Sequence, residues 1–256
     1  MSSRLPRKMA TESGPTLLSN PVLSNTLNEQ QFLVIDADDT LWENNIYFER
    51  AFLEFCDFLD HSHLAPERVR EILDEIEIAN NKIHGYGSVN FGRNLSECYR
   101  HLAEREIGSA DLATVMSFAE RILEQPMEVI EGVEETLRYL APRHHLTLFT
   151  KGNVDEQKLK LDRSRLGSYF EHTAIVKEKD TDAYRRLASE RGLDPHRTWM
   201  IGNSPKSDIN PSLAAGLRAV FIPHEHTWKL EHEEVSTNHD GRLLVLNRFA
   251  DLKEHF

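Results

Sequence analysis

The stretch Phe32–Trp42, FLVIDADDTLW, sets the fold. Four apolar residues (Phe32, Leu33, Val34 and Ile35) run directly into Asp36, Asp38, Asp39 and Thr40. An apolar run without polar alternation fits a strand buried on both faces, as in a parallel sheet. Open α/β sheets hold their ligands outside the carboxyl ends of the strands, and Asp36 and Asp38 stand there. Side chains two apart on an extended chain share a face, so both carboxylates can reach one site. Like charges that close are costly, and a bound cation or a retained proton relieves them. A plainer reading of the same residues is a turn or a helix N-cap after the strand.

Composition bounds what such a site can serve. At 256 residues the chain is long enough for one large domain, or for a core with a smaller insert. Hydrophobic residues make up 39% and charged residues 28%, which supports a buried core rather than disorder. The formal net charge of −12 argues against a nucleic-acid partner, which needs a basic surface. Anionic small molecules stay open, because a bound cation and a few lysines set the local field. Cys56 and Cys98 make neither a disulfide framework nor a zinc motif, and reduced cysteines suit a cytoplasmic protein. No apolar run approaches the roughly 18 residues of a membrane span, so no membrane partner is expected.

Residues 1–30 are rich in Ser, Thr, Asn and Pro and lack the apolar run of a secretory signal. They read as a flexible N-terminal arm, with a transit peptide as the alternative. Residues 46–125 read as helices only, with apolar stripes such as Phe48, Phe52, Phe55 and Leu59, or Val69, Ile72, Leu73 and Ile76. Ser109 is a plausible N-cap for the fourth of them. Gly85–Arg93, with three glycines, reads as an interhelical loop that could turn Tyr86, Phe91 and Arg93 toward a site. Strand-and-helix alternation resumes over 126–256, with strands expected near 145–150, 173–176, 198–201, 217–222 and 243–246. The strand ending at Thr150 runs into Lys151-Gly152-Asn153 and a helix, where backbone N–H groups can hold phosphate oxygens. The next ends in Lys177-Glu178-Lys179, and the next in Gly202-Asn203-Ser204-Pro205-Lys206-Ser207-Asp208. Beyond Pro223 the chain is polar, and its His and Glu residues read as a solvated segment.

Taken in order, these parts resemble the haloacid dehalogenase-like (HAD) hydrolase superfamily, most of whose members are phosphatases. DADDT resembles its motif I, Thr150 stands where motif II keeps a Ser or Thr, Lys179 (with Lys177 as the alternative) where motif III keeps a Lys, and GNSPKSD where motif IV commonly has G-D-S-x-x-x-D. The departure is Asn203 for the first acid of motif IV. The resemblance implies a Rossmann-like α/β core with a parallel central sheet, residues 31–45 and 126–256, and an inserted all-helical C1-type cap, residues 46–125. It implies a Mg²⁺-dependent phosphatase acting on a small-molecule phosphate ester, as a monomer or a homodimer. Asp36 would be the nucleophile and Asp38 the general acid and base; Thr150 and Lys179 would hold the phosphoryl oxygens. Lys151, Gly152, Asn153 and Arg93 are the further substrate-binding candidates. Asp36, the Asp38 carbonyl, Asn203 and Asp208 would ligate the metal. Haloacid dehalogenases themselves lack an acid two residues after the nucleophile and need no Mg²⁺, so Asp38 favours phosphoryl chemistry. The alternatives are a phosphomutase, which would share every motif, and a non-catalytic binding protein, for which Asn203 is the hint.

Overall fold

The computed structural model describes residues 29–237 and 239–256; the expected N-terminal arm lies, apart from Glu29 and Gln30, outside the described residues. The apolar run forms strand β1, Phe32–Ile35. Its period-2 alternation is plain in the packing: Leu33 and Ile35 enter one apolar cluster, and Val34 enters another on the opposite face. Neither face is left to solvent, which is why the strand shows no polar residue.

After β1 the chain leaves the sheet for four helices: α1 (Asn45–Leu59), α2 (Pro66–His84), α3 (Ser88–Leu102) and α4 (Ser109–Glu120). Their apolar stripes converge on one cluster that includes Phe52, Phe55, Leu73, Leu95, Tyr99 and Val115. Pro66 sits in the first turn of α2, where a missing N–H costs nothing. Gly85, at φ 76°, ends that helix in a conformation other residues adopt with strain. The glycine loop is shorter than the sequence suggests: helix α3 begins at Ser88, so Val89–Arg93 are helical. Ser109 is likewise inside α4, and the Gly108 N–H donates to the Asp111 carboxylate at 2.9 Å.

The chain then returns through α5 (Val133–Leu140), β2 (His145–Lys151), α6 (Val154–Ser164), β3 (His172–Val176), α7 (Thr181–Arg191), β4 (Thr198–Gly202), α8 (Asn210–Ala214), β5 (Arg218–Phe221) and β6 (Leu243–Val245). All six strands are parallel, in the order β3-β2-β1-β4-β5-β6. This is a Rossmann-like α/β sheet. Its order reverses at β1, which lies between β2 and β4, and such a switch point opens a crevice at the carboxyl ends of the strands. A closing 3₁₀ segment, Phe249–Glu254, packs Phe249, Leu252 and Phe256 onto the cluster that holds Leu137 and Leu140.

The helical insert depends on its own core. Phe55 is fully buried there, with its ring edge-on to Tyr99 at 6.5 Å. Phe55→Ala is expected to lower the unfolding free energy by about 3–5 kcal/mol, measured by urea denaturation.

Candidate active site

The four segments singled out in the sequence meet at the switch point. Asp36, Asp38, Thr150, Lys151, Gly152, Asn153, Lys179, Asn203 and Asp208 all line one cavity of about 140 Å³. Lys177 is exposed, whereas Lys179 is buried with its ammonium between two carboxylates. Lys179 Nζ donates to Asp36 Oδ1 and, at 2.7 Å, to Asp208 Oδ1. Burial opposes the ammonium charge, but Asp208 and Asp36 outweigh it and raise the Lys179 pKa. One cation does not satisfy two acids: burial first, and then Asp208, push Asp36 up to about 7.

Local structure places each group. Residues Pro205–Ile209 form a π-helical turn rather than an ordinary helix start, a feature frequent at functional sites. It carries Asp208 back over the end of β4, where the Ser204 N–H donates to Asp208 Oδ2 at 3.0 Å. The approach is so close that a Cβ on Gly202 would lie 2.3 Å from that oxygen. Thr40 Oγ1 lies 3.1 Å from both Asp36 Oδ2 and Asn203 Oδ1 and so ties motif I to the Asn203 loop. The Asn203 amide nitrogen donates to Thr227 Oγ1 at 2.8 Å, leaving its oxygen toward the carboxylates.

Asp39 carries the plainer reading of the DADDT stretch. At φ 58° it turns its carboxylate onto the start of α1, accepting from the Asn44 and Asn45 N–H groups at 2.9 and 3.0 Å. Burial pushes it up to about 7. The turn-and-cap role thus belongs to Asp39 and leaves Asp36 and Asp38 to the cavity.

Asp38 sits in a different field from Asp36. Its carboxylate accepts from Lys160 Nζ at 2.9 Å, Gln157 Nε2 at 2.7 Å and Trp42 Nε1 at 2.8 Å. Burial raises its pKa, but Lys160 and the two hydrogen bonds overcome this and leave it lowered. Neither Lys160 nor Gln157 was legible as functional: on α6 they look like ordinary surface positions of an amphipathic helix.

Three expectations change. Arg93 is exposed on α3 and does not line the cavity, whereas Arg70 of α2 does. Lys151 is committed to Glu231 at 2.6 Å and Ser207 at 3.0 Å. The polar segment after Pro223 is not a solvated tail, since Thr227, Trp228 and Glu231 line the cavity. Glu231 accepts from Lys151, Ser204 and Ser207, and Trp228 meets the Tyr86 ring edge-on at 6.1 Å. Asn153 spends its side chain on the α6 N-terminus, accepting from the Asp155 and Glu156 N–H groups.

A hard divalent cation prefers oxygen ligands. Asp36, Asp208 and the Asn203 amide oxygen offer only oxygen, are buried, and hold more negative charge than Lys179 neutralises, so the donor set fits such an ion. A separate trio, Asp39, Glu43 and His224, brings ligand atoms within 4.8 Å, but Asp39 is occupied by the α1 amides.

Two outcomes follow. Gly202→Ala forces Asp208 off Ser204 and is expected to destabilise the fold by about 1–3 kcal/mol, read as a lowered midpoint in thermal unfolding. Glu77, also on the cavity wall, is pushed up by burial to about 8 from an ordinary 4.5. Between those values the unfolded chain has released the proton that the folded chain keeps, so stability falls as pH rises. Glu77→Gln removes that loss, and its stability relative to wild type should climb from pH 4.5 to 8 by up to about 1 kcal/mol per pH unit, measured by urea denaturation across that range.

Known proteins agree with this architecture. The haloacid dehalogenase-like hydrolase family matches residues 31–216. N-acylneuraminate-9-phosphatase of Homo sapiens is 24% identical over 203 residues, covering 75% of this chain and 82% of the relative. The 5-amino-6-(5-phospho-D-ribitylamino)uracil phosphatase YigB of Escherichia coli is 23% identical over 225 residues, covering 80% and 91%. The crystal structure of a haloacid dehalogenase-like family hydrolase from Xanthomonas campestris matches with a TM-score of 0.76 at 27% identity, covering 89% of this chain and 94% of that one. With the family match running from β1 through the insert to α8, over most of the chain, the chain belongs to the haloacid dehalogenase-like hydrolases.

Proposed function

We propose that this hydrolase cleaves a small phosphate monoester with Mg²⁺ as cofactor, passing the phosphoryl group through Asp36. The observation that carries the reading is the pair Asp36 and Asp38 in one cavity, with Lys179 on the first and Thr150 lining the same cavity. The phosphatase names of the two curated relatives support it.

Lys179 and Thr150 orient the phosphoryl oxygens and stabilise the charge that grows on them. An Asp36 carboxylate oxygen attacks phosphorus as the phosphorus–alcohol bond breaks, giving an aspartyl-phosphate. Asp38 gives its proton to the departing alcohol, then takes one from the water that attacks the intermediate. Its Lys160 partner holds Asp38 ionised, which suits the second step. For the first, that tie must loosen as substrate fills the cavity. When bound by Asp36, Asn203 and Asp208, together with the Asp38 carbonyl, Mg²⁺ supplies charge neutralisation between carboxylate and phosphate. The insert acts as the cap that keeps bulk water from the intermediate. Both cysteines are free, in keeping with a cytoplasmic enzyme.

The test is hydrolysis of p-nitrophenyl phosphate with Mg²⁺ and with chelator. Asp36→Asn is expected to lower kcat by more than about a thousandfold. Asp38→Asn is expected to lower kcat/KM by about 10²–10⁴-fold for an alkyl phosphate, and by less for p-nitrophenyl phosphate, whose leaving group departs without a proton. Undiminished turnover by Asp36→Asn would sink the mechanism.

A further inference from the structure

The cavity that starts at Asp36 extends into the helical insert, and the chemistry above makes no use of its far wall. That wall is formed by Glu49 on α1, Arg70, Glu77 and Asn81 on α2, and Phe91 and Asn94 on α3. Two of its polar atoms are buried without a hydrogen-bond partner: Glu77 Oε2 and Asn94 Nδ2. Their residues are only 5% and 1% exposed. Buried polar groups are seldom left unpaired in a native protein. Asn94 Nδ2 can only donate, whereas an ionised Glu77 accepts and a protonated one can also donate. An alcohol hydroxyl, which donates and accepts at once, answers both.

Charge on this wall points the same way. Arg70 is its cation, and it is already matched by Glu49 at 2.9 Å and Asp74 at 4.0 Å; the Glu77 carboxyl lies at 3.8 Å, and the guanidinium stacks 3.8 Å from the Phe52 ring centroid. The other cations lining the cavity are matched as well. Lys151 pairs with Glu231, Lys160 with Asp38, and Lys179 with Asp36 and Asp208. Among the described residues, a second anionic group on the substrate therefore meets no free positive charge, and would have to break an existing pair to find one. Phe91 offers an apolar face for the carbon chain between hydroxyls.

We infer that this wall is the subsite for the alcohol part of the ester, and that it selects a neutral, polyhydroxylated leaving group over one carrying a second anionic group. The inference rests on the phosphatase reading above and adds the substrate class. Asn94 and Glu77 are its specificity-determining residues. A site whose buried polar atoms are completed by substrate hydroxyls discriminates strongly, because the wrong ligand leaves them unpaired.

The experiment compares two esters of one carbon skeleton, D-glucitol 6-phosphate and 6-phospho-D-gluconate, with p-nitrophenyl phosphate as the reference. For the wild type, kcat/KM is expected to be at least about tenfold higher for the glucitol ester than for the gluconate ester. Asn94→Leu and Glu77→Gln are each expected to lower kcat/KM for glucitol 6-phosphate at least about tenfold more than for p-nitrophenyl phosphate. Glu77→Gln puts an amide of the same size where the fold keeps a protonated carboxyl below about pH 8, so it keeps the test valid if Asn94→Leu does not fold. Equal or better turnover of the gluconate ester overturns the inference and leaves the phosphatase reading standing. So does turnover of p-nitrophenyl phosphate with neither six-carbon ester cleaved, and so does an equal loss on both esters in Glu77→Gln. If none of the three is hydrolysed, the phosphatase reading fails and takes the inference with it.

Discussion

Everything at the carboxyl end of this sheet depends on a buried ammonium shared by two carboxylates. Lys179 comes from the β3–α7 junction, Asp36 from the end of β1 and Asp208 from the turn after β4. Three charges out of water are tolerated only when their geometry is good, and removing one partner from such a group typically costs about 3–5 kcal/mol. That requirement explains several local features together. The sheet order brings the strand ends side by side. The π-helical turn carries Asp208 inward. The absence of a side chain at Gly202 leaves room for its carboxylate. Burial first, and then the Asp208 charge beside it, push Asp36 toward neutrality rather than hold it ionised.

The insert and the sheet each enclose their own apolar cluster, with no buried residue in common. What joins them includes the edge-on Tyr86–Trp228 ring pair and several polar contacts. The Glu156 carboxylate accepts from the Ser88 N–H and hydroxyl at the start of α3, at 3.0 and 2.9 Å. Tyr86 donates to Glu178 at 2.6 Å, and Lys229 pairs with Asp74 at 3.1 Å. Water can replace contacts of this kind at modest cost, because each is a net exchange of hydrogen bonds. A hydrophobic seam would not part so readily. The polar contacts of the seam leave each unit with an apolar core of its own.

How much of this was legible in the sequence follows from how far each determinant acts along the chain. The strand β1, the parallel sheet and the segments ending in Thr150, Lys179 and Asp208 were readable, because each is a local apolar run followed by a polar residue at its end. The choice between Lys177 and Lys179 was not, since it turns on which side of the β3–α7 junction faces Asp36. Arg70, Glu77 and Asn94 were hidden because their positions on α2 and α3 gain meaning only when the two helices pack. Arg93 was favoured for its glycine-rich neighbourhood, yet Ser88–Arg93 are helical and Arg93 lies on the exposed side. The segment after Pro223 looked solvated by composition. Its Glu231 is buried by partners 80 and 24 residues away, Lys151 and Ser207, which no local pattern reports.

Asp36 and Asp38 are two residues apart, of the same type and in the same cavity, yet the fold drives them in opposite directions. Asp36 faces another acid in a dry pocket and is raised; Asp38 faces Lys160 and two neutral donors and is lowered. Pairs of acids separated in this way mark distinct chemical roles. As the site stands, Asp36 is pushed toward neutrality and Asp38 is held charged. Added positive charge beside Asp36 reverses the first, and displacement of Lys160 reverses the second. On the proposed reading, a substrate that arrives with its cation and displaces Lys160 would bring about both changes.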